Sequence, residues 1–397
     1  MKLNFCTLFD ANYLDKGIVL YNSLEKLNIP FEIYVLPMDD KCSEILQIIN
    51  KKYLTVIDYL DFLDDELKEI KGQRTRAEFC WTCTAKLIKY ALTKYTLDNC
   101  TYVDADLYFY SNPQILFKEM INSNAKVQIV KHNFRRYEAP LFEKKAGRFC
   151  VEFNTFLNDP EAIKVLDSWV NDCITECSYG ITEDVMGDQK YLEKWPLIYS
   201  CINITKNQGA GVAPWNINKF VIKKIDGKYI VFDKESKEKW PLVFYHYQNI
   251  CFLENDVYYC CDIENDNDVV RELYINYLLE IEQAKRYLKE KIEKIIQDII
   301  KNTEDVLYPP ACPICGKPRV VKNKERLDIC PWCLDKITYV DEPTCIKCGK
   351  ALDDDREYCQ DCMKTEHIYD QAVSLYEYSD GIKQSIYRFK YHNKREY

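Results

Sequence analysis

Residues 100–109 read Cys-Thr-Tyr-Val-Asp-Ala-Asp-Leu-Tyr-Phe, an apolar run that leads into two carboxylates. At strand spacing, Asp104 and Asp106 point to the same side of the chain, so both acids can face one ion. Carboxylate oxygens suit Mg²⁺ or Mn²⁺, with diphosphate oxygens completing the coordination shell. A bare D-x-D triplet usually lies on a solvated turn. Here the acids end a predicted strand, which favours a divalent-metal site.

Strand and helix signals alternate along the first part of the chain. Predicted strands cover 3–9, 31–36, 54–57 and 101–103, and predicted helices cover 14–27, 43–54 and 79–95. This alternation predicts an α/β fold, with a mainly parallel, Rossmann-like sheet and helices on both faces. Ligands of such sheets bind beyond the carboxyl ends of the strands. The middle region is less regular, with strand-like runs at 127–130, 220–222, 229–232 and 243–247, and helical patterns at 160–173 and 188–193.

The composition is that of a globular chain with two or three domains. The chain has 397 residues, of which 47% are hydrophobic and 29% charged, and this excludes wholesale disorder. A net charge of −9 argues against a general nucleic-acid or anionic-membrane binder. The first residues lack the apolar segment of a signal peptide, and no run of about 18 apolar residues occurs. A cytoplasmic location without a membrane span is therefore expected.

Residues 268–303 contain no Gly or Pro, and their apolar residues recur at steps of three and four. This pattern predicts a long amphipathic helix. Its apolar face is expected to pack on its own chain, and packing on a second copy is the alternative. The composition shifts give four predicted segments: a domain at 1–266, a helical linker at 267–306, a cysteine-rich module at 307–363 and a final segment at 364–397.

Five motifs follow one another along roughly residues 1–280. They are FCTLFDANYLDKG at 5–17, RTRAEFCWTCTAKLIKYAL at 74–92, TYVDADLYFYSNP at 101–113, GDQKYL at 187–192 and GAGVAPWN at 209–216. Together they resemble bacterial glycosyltransferases of the GT-A fold that are related to glycosyltransferase family 8. The resemblance implies a nucleotide-sugar donor, with a UDP-sugar favoured, a Mn²⁺ or Mg²⁺ ion, and transfer of a hexose to a hydroxyl acceptor. The wider family retains anomeric configuration, but no residue here decides that outcome.

The resemblance also assigns roles to individual residues. It places Asp188 and Gln189 near the reacting carbon as the catalytic pair. It adds His246 to Asp104 and Asp106 in the metal shell, and an imidazole ligand favours Mn²⁺ over Mg²⁺. The implied donor-binding residues are Thr7, Asp10, Tyr13, Arg76, Lys86, Asn154 and Gly211.

The chain departs from the wider family after His246. Asn249 stands where a glycine is expected, and the expected phosphate-binding lysine is absent, which weakens the predicted diphosphate clamp. Structural alternatives exist for most of the assigned residues. They are solvated cations at Arg76 and Lys86, turn or capping residues at Asn154 and Gln189, a helix N-cap at Asp188, and a hydrogen-bonded strand histidine at His246.

The 20 cysteines fall into two groups. Twelve are scattered through the first 261 residues and are predicted to be buried or inert thiols. The other eight form four C-x-x-C pairs, which predict two structural Cys₄ sites and two Zn²⁺ ions. Sequential pairing is the simplest arrangement, and a cross-braced pairing is the alternative. The pairs are Cys312/Cys315, Cys330/Cys333, Cys345/Cys348 and Cys359/Cys362.

A second resemblance covers roughly residues 307–397. The motifs LYPPACPICG, CPWC, CIKCGKAL and CQDC, followed by YDQAVSLYEYSDGIKQSIYRFKYHNKREY, resemble the N-terminal part of competence protein F-like proteins. In that family a double zinc ribbon precedes a phosphoribosyltransferase domain. Only the start of that domain is present, at 364–397, so no phosphoribosyltransferase activity is expected, and this segment is expected to pack poorly or to dock elsewhere. Nine Lys/Arg against ten Asp/Glu between Tyr308 and Cys362 argue against nucleic acid and leave a protein partner or a structural role.

Three functional hypotheses follow from these patterns. The preferred one is a metal-dependent glycosyltransferase with an appended structural zinc module. The alternative makes the zinc ribbon the functional part, in DNA uptake or protein assembly, with an inactive or independent first domain. A third reads the two halves as neighbouring genes joined by a frameshift, acting independently.

Overall fold

The computed structural model divides the chain into two compact units, Met1–Ile292 and Glu293–Tyr397. No helix among the described residues is both long and apolar enough to cross a membrane. The described residues are 2–179, 185–253, 257–260, 267–307, 312–317, 321–322, 325–326, 329–334, 336–354, 356–365 and 367–391.

A seven-stranded sheet forms the centre of the first unit, in the order β3 (Leu54–Val56), β2 (Phe31–Pro37), β1 (Leu3–Phe9), β4 (Asn99–Val103), β7 (Phe149–Leu157), β6 (Val127–Lys131) and β8 (Ile202–Ile204). Four neighbouring pairs are parallel (β1 with β2, β1 with β4, β2 with β3, and β6 with β8), and β7 runs antiparallel to β4 and β6. The α/β fold with a mainly parallel sheet is therefore confirmed. The strands of this unit are β1 Leu3–Phe9, β2 Phe31–Pro37, β3 Leu54–Val56, β4 Asn99–Val103, β5 Leu107–Phe109, β6 Val127–Lys131, β7 Phe149–Leu157, β8 Ile202–Ile204, β9 Phe220–Ile225, β10 Lys228–Asp233, β11 Lys239–Pro241, β12 Phe244–His246, β13 Ile250–Leu253 and β14 Val257–Cys260.

Helices cover both faces of this sheet. One apolar core joins α1, α2 and the first part of α10 to one face, and a second joins α5 and α8 to the other. Successive strand residues alternate between the two cores, as the pleat requires: Phe5 lies in the first and Cys6 in the second. The helices are α1 Leu14–Lys26, α2 Asp40–Ile49, α3 Tyr59–Phe62, α4 Asp65–Lys71, α5 Arg76–Lys94, α6 Gln114–Asn122, α7 Ala139–Ala146, α8 Pro160–Thr175, α9 Trp195–Ile198 and α10 Asp268–Leu307.

Local sequence signals explain where the two large helices begin. Thr75 and Glu78 form a capping box at the start of α5, in which each side chain meets the other residue's backbone N–H. Asp159 caps α8 by accepting from Glu161 N, and Pro160 occupies the first turn, where no N–H is needed. These caps fix where α5 and α8 begin, and their apolar residues pack in the second core.

Most predicted elements are present, with shifted ends. The predicted helix at 43–54 is instead Asp40–Ile49, because Asn50 takes a left-handed conformation at φ 44° and closes it. The predicted helix at 188–193 is a 3₁₀ helix at Lys190–Lys194. Strand β7 was not predicted, because its residues are buried on both faces and show no alternation.

The long amphipathic helix is confirmed as α10. Its residues Val270, Leu273, Tyr277 and Ile281 are buried in the apolar core of the first unit. Packing of this helix on its own chain is thus confirmed. As far as Ile281, its apolar face is buried without contact to a second copy of the chain.

The second unit is built from short elements around the cysteines. Its described part consists mainly of turns between short elements, which are β15 Val321–Lys322, β16 Glu325–Arg326, α11 Pro331–Leu334, α12 Gln360–Lys364 and α13 Asp380–Tyr391. Its apolar cluster contains the first cysteines and Ile314, and Ile382 of α13 packs against it. So small a core agrees with a module whose fold depends on bound metal.

Candidate functional site

The two acids of the D-x-D triplet lie between β4 and β5. The backbone N–H of Asp104 donates to Glu152 O at 3.2 Å, so Asp104 continues the ladder between β4 and β7. β5 pairs antiparallel with β12, and this pairing places His246 opposite Leu107, the residue after Asp106. Strand pairing therefore brings His246 to the acids from a distant part of the sequence.

The ligand atoms of these three residues converge on one point. His246 Nε2 lies 3.1 Å from Asp106 Oδ1 and 3.8 Å from Asp104 Oδ2. One ligand atom from each residue falls within 4.8 Å of the others. His246 and Asp106 are buried, whereas Asp104 is half-buried. Two carboxylate oxygens and one imidazole nitrogen form a donor set that fits a divalent transition metal such as Mn²⁺.

Glu152 on β7 completes the cluster and was missed by the sequence analysis. Its carboxylate is fully buried, and Oε2 lies 2.6 Å from His246 Nδ1. The sequence does carry a signal for it, because Glu152 is a lone acid in the apolar run of β7. A buried charge requires a partner. The histidine thus sits between Glu152 on one side and the D-x-D acids on the other.

The charges of the cluster shift its ionisation equilibria in opposite directions. Burial raises the pKa of Asp104 to about 6, although the charge of His246 opposes the shift. Burial also disfavours the ionised form of Asp106, but the charge and hydrogen bond of His246 outweigh it and hold the pKa of Asp106 below its ordinary value. Burial disfavours a protonated His246, yet the charge of Asp106 and the hydrogen bonds raise its pKa well above the ordinary value. The cluster therefore attracts positive charge.

Asp188 is a further buried carboxyl, and the charge of Asp104 affects its pKa. Its side chain is 5% exposed, and burial raises its pKa to about 7, helped by the charge of Asp104 and opposed by a hydrogen bond from Thr84. Its backbone carbonyl accepts a hydrogen bond of 2.9 Å from Trp169 Nε1. Asp188 is thus a buried carboxyl that titrates near neutrality and interacts with the D-x-D pair.

Gln189 is held by a backbone contact. Its Nε2 donates to Ala146 O at 2.6 Å. It occupies the N-cap position of the 3₁₀ helix Lys190–Lys194, without a side-chain capping bond. Neither Asp188 nor Gln189 therefore caps this 3₁₀ helix with its side chain.

Asn154 and Gly211 both adjoin Glu152. Asn154 is fully buried on β7 and its Nδ2 donates to Val151 O at 3.4 Å, while its Oδ1 has no partner among the described residues. Gly211 has φ +83°, and a Cβ there would lie 2.7 Å from Glu152 Oε1. The glycine at this position allows the loop to approach the buried carboxylate closely.

Ion pairs connect the opening loop, which follows β1 at residues 10–13, to the start of α5. Arg76 pairs with Asp10 at 2.5 Å and with Asp39 at 3.1 Å. Thr7 is buried inside β1, and its hydroxyl has no partner among the described residues. Tyr13 is 41% exposed. Among these residues, Arg76 and Tyr13 present the most accessible groups to a ligand.

Lys86 lies in a different ion pair. Its ammonium group pairs with Asp64 and lies 3.6 Å from Glu66, at the start of α4. The side chain is 15% exposed, so it is not a freely solvated cation. These contacts hold Lys86 against α4.

Eight cysteines of the second unit form two groups of four. The Sγ–Sγ distance is 3.7 Å both for Cys315 and Cys330 and for Cys348 and Cys359. Four sulfurs at about 2.3 Å from one Zn²⁺ in a tetrahedron lie at about this separation from each other. The groups support two zinc ions with the sequential pairing, Cys312, Cys315, Cys330 and Cys333 in one, and Cys345, Cys348, Cys359 and Cys362 in the other.

Backbone amides turn toward the sulfurs of the first group. Cys330 N–H donates to Cys312 Sγ at 3.5 Å, and Gly316, at φ +71°, closes the turn by donating its N–H to Cys312 O at 2.8 Å. Burial opposes ionisation of Cys312, but N–H groups, first among them that of Cys330, lower its pKa to about 6. A thiol with this lowered pKa is ready to bind metal as a thiolate.

The final segment docks on this zinc-binding unit. Arg388 of α13 donates hydrogen bonds of 3.0 Å to Ile314 O and to Cys315 O. Tyr376 forms a bridge with Tyr339. The segment therefore contacts the zinc-binding unit, while Tyr387, Phe389 and Tyr391 of α13 stay exposed, so that docking and poor packing both describe it.

One family model and several known proteins match parts of the chain. Residues 303–363 match the family model "Double zinc ribbon domain". The chain is 29% identical over 296 residues to the uncharacterized protein YfnD of Bacillus subtilis (strain 168), covering 72% of this chain and 90% of YfnD. It is 26% identical over 251 residues to YfnF of the same organism, covering 62% and 81%.

Solved structures with a similar course of the chain include two transferases. The galactosyltransferase LgtC, in complex with donor and acceptor sugar analogs, matches with TM-score 0.45 and 12% identity, over 71% of this chain and 96% of LgtC. Mouse xyloside xylosyltransferase 1 matches with TM-score 0.37 and 12% identity, over 54% and 87%. Likeness at this level says nothing of the chemistry of the present chain.

Proposed function

We propose that the first unit is a glycosyltransferase that uses a nucleotide-sugar donor and a divalent metal ion. The observation that carries the proposal is the convergence of Asp104, Asp106 and His246 next to a carboxyl, Asp188, whose pKa lies near 7. This group lies where β4 ends, at the edge of the sheet where α/β folds bind ligands. The motif resemblance indicates the reaction class, and the convergence of these side chains supports the proposal.

The metal would be held by Asp104, Asp106 and His246. When bound, a divalent cation at this point neutralises charge on the diphosphate leaving group. An imidazole nitrogen beside two carboxylates favours Mn²⁺ over Mg²⁺, which prefers all-oxygen shells. The side chains themselves are held by the sheet, so little reorganisation is needed on binding.

The donor would lie along the opening loop and the metal cluster. Arg76 is fixed by Asp10 and Asp39 and is 58% exposed at its side chain, so it can meet phosphate or the nucleoside. Asn154 is fully buried, and its Oδ1, which has no partner among the described residues, is the atom that we propose for a contact with the sugar.

The departure at Asn249 is consistent with this proposal. Asn249 has φ +61°, the left-handed conformation in which asparagine replaces glycine with the least strain. The backbone after His246 can thus take the course that a glycine would allow. The missing lysine means that another cation must meet the phosphates, and Arg76 is the candidate.

Asp188 is proposed to act beside the reacting carbon of the sugar. A buried carboxyl with a pKa near neutrality can hold or release a proton, or stabilise positive charge on the sugar when ionised. Gln189, bound to Ala146 O, positions the turn that carries Asp188. The family's retention of configuration remains part of the proposal.

The proposal is tested by nucleoside diphosphate release from a panel of UDP-, GDP- and ADP-sugars. The protein is used with its zinc content verified, with and without added Mn²⁺. We expect release from one donor, dependent on Mn²⁺ and abolished in Asp104→Asn/Asp106→Asn. The control is Asp354→Asn, an exposed acid that pairs with the nearby Arg356. Unchanged turnover in the double variant contradicts the proposal. No release from any donor favours the zinc module as the functional part.

The zinc module is proposed to be structural. Four thiolates per site leave no open position for a substrate. A protein partner for this module stays a proposal, as does a role in DNA uptake, and the cytoplasm is the proposed location of the whole chain.

A further inference from the structure

Glu152 is a buried acid whose only recorded side-chain partner among the described residues is a histidine. Its side chain has no exposed surface, and Oε2 lies 2.6 Å from His246 Nδ1. Its other oxygen, Oε1, has no hydrogen-bond partner there. A carboxylate in such a place is costly unless its partner compensates it. Its retention in the middle of an apolar strand therefore calls for a role beyond packing.

The two nitrogens of His246 face different groups. Nδ1 faces Glu152, whereas Nε2 faces Asp106 at 3.1 Å and Asp104 at 3.8 Å. A carboxylate that accepts a hydrogen bond from Nδ1–H fixes the ring orientation and leaves Nε2 as the nitrogen that can bind a metal ion once the ion displaces its proton. Nε2 points at the place where the carboxylate oxygens of the D-x-D pair converge.

We infer that Glu152 is a positioning residue that presents His246 Nε2 to the metal ion, and that it thereby sets the preference of the site for Mn²⁺ over Mg²⁺. The inference rests on the proposed function for the identity of the metal site. It adds a residue that neither the sequence motifs nor the comparisons assign. A Mg²⁺ ion gains little from the imidazole, so its binding depends less on Glu152.

A second metal site on the far side of the ring is the alternative. Cys150, Glu152 and His246 also bring ligand atoms within 4.8 Å of one another. All three residues are buried, however, whereas the D-x-D site includes the half-buried Asp104. Glu152 Oε2 already lies at hydrogen-bond distance, 2.6 Å, from His246 Nδ1, so this geometry agrees better with a supporting shell around His246.

The test measures metal affinity of the full chain directly. Free Mn²⁺ is followed by its electron paramagnetic resonance signal, and Mg²⁺ affinity is obtained by competition. We expect Glu152→Ala to weaken Mn²⁺ binding by about 10–100-fold and Mg²⁺ binding by less, so that selectivity falls. Glu152→Gln keeps the volume and one acceptor oxygen, so its loss should be smaller. Asp233→Asn is the control, a buried carboxylate that caps a turn elsewhere.

A double-mutant cycle separates positioning from a general structural effect. If Glu152 acts through His246, Glu152→Ala should add little to the loss of Mn²⁺ affinity already caused by His246→Gln. Additive losses of Mn²⁺ affinity in the double variant overturn the inference. It is also overturned if Glu152→Ala keeps its Mn²⁺ affinity while Asp104→Asn loses Mn²⁺ affinity. Should Glu152→Ala fail to fold, the cycle with Glu152→Gln gives the same decision.

This result is independent of turnover. A chain that binds Mn²⁺ through His246 but releases no nucleoside diphosphate contradicts the proposed function and leaves the role of Glu152 intact. A chain that releases nucleoside diphosphate from a donor, but whose Mn²⁺ affinity is the same with and without Glu152, supports the proposed function and contradicts the role of Glu152.

Discussion

His246 Nε2 lies 3.1 Å from Asp106 Oδ1, although the two residues come from distant parts of the sequence. The contact follows from the antiparallel pairing of β5 with β12. It joins a buried histidine to a buried acid and leaves the second acid of the triplet, Asp104, at 3.8 Å. The two acids are therefore not equivalent.

The opposite pKa shifts of the two acids predict opposite effects on stability without added Mn²⁺. At pH 8 the ionised form of Asp106 is stabilised by His246, so Asp106→Asn should lower the free energy of unfolding by about 2 kcal/mol. The ionised form of Asp104 is disfavoured by burial, so Asp104→Asn should leave stability unchanged or raise it. Urea unfolding of both variants gives the comparison. Equal destabilisation by the two substitutions would show that the acids are interchangeable.

Gly211→Ala is predicted to disturb the metal cluster through Glu152. The new Cβ lies 2.7 Å from Glu152 Oε1, at a residue with φ +83°. Gly227→Ala is a matched control, with φ +75° and no atom within 4 Å of its Cβ. Both substitutions should cost about 1 kcal/mol from backbone strain, and Gly211→Ala should cost more and also weaken Mn²⁺ binding. The measurements are urea unfolding and Mn²⁺ titration. A Gly211→Ala protein that behaves like Gly227→Ala rules out the close approach.

Asp188 predicts a pH dependence of stability. Its pKa is raised by burial from 3.8 to about 7, so its ionised form is disfavoured in the folded chain. Its favourable contribution is present at low pH and is lost as the pH rises toward and through 7. Between pH 5.5 and 8, Asp188→Asn should gain about 2 kcal/mol of stability relative to the unsubstituted protein.

The check is urea unfolding of both proteins at several pH values, without added Mn²⁺. Thr175→Ala on the neighbouring helix α8 serves as the control, since it removes no group that titrates in this pH range. Among the described residues, its hydroxyl donates to Asn171 O. A stability difference between Asp188→Asn and the unsubstituted protein that does not vary with pH would place the carboxyl in water.

Arg388 is predicted to hold α13 on the first zinc site. Its guanidinium group donates to Ile314 O and Cys315 O. Arg388→Ala should therefore speed hydrogen exchange across Asp380–Tyr391, while zinc content stays at two ions per chain. Lys383→Ala is the control, since Lys383 lies on the same helix and pairs only weakly with Asp380 at 3.5 Å. Equal exchange in the two variants would mean that α13 is held by other contacts.

Loss of one zinc ligand provides a related prediction. Cys330→Ser should reduce the zinc content by one ion and release α13, because the first site then loses its metal. Cys359→Ser should also remove one ion but leave the Arg388 contacts in place. Elemental analysis combined with hydrogen exchange distinguishes the two cases. Release of α13 in both variants would instead indicate a cross-braced pairing, in which Cys330 and Cys359 share one ion. Loss of both ions in either variant would indicate a single cooperative unit.

The sequence predicted the elements that depend on local pattern. The alternation of strands and helices, the amphipathic stripe of α10 and the four C-x-x-C pairs all follow from the spacing of residues along the chain. The D-x-D acids were found for the same reason, because they follow an apolar strand. Strand β7 was not predicted, because a strand buried on both faces shows no alternation of apolar and polar residues.

The tertiary structure decided which side chains meet. Antiparallel insertion of β7 beside β4 brings Glu152 to the acids, and pairing of β5 with β12 brings His246 between them. Sequential rather than cross-braced pairing of the cysteines was likewise left open by their spacing. The physical reason is that hydrophobic periodicity is a property of neighbours in sequence. The pairing of distant strands, and with it the charge environment of Asp188 and His246, depends on the packing of the whole sheet.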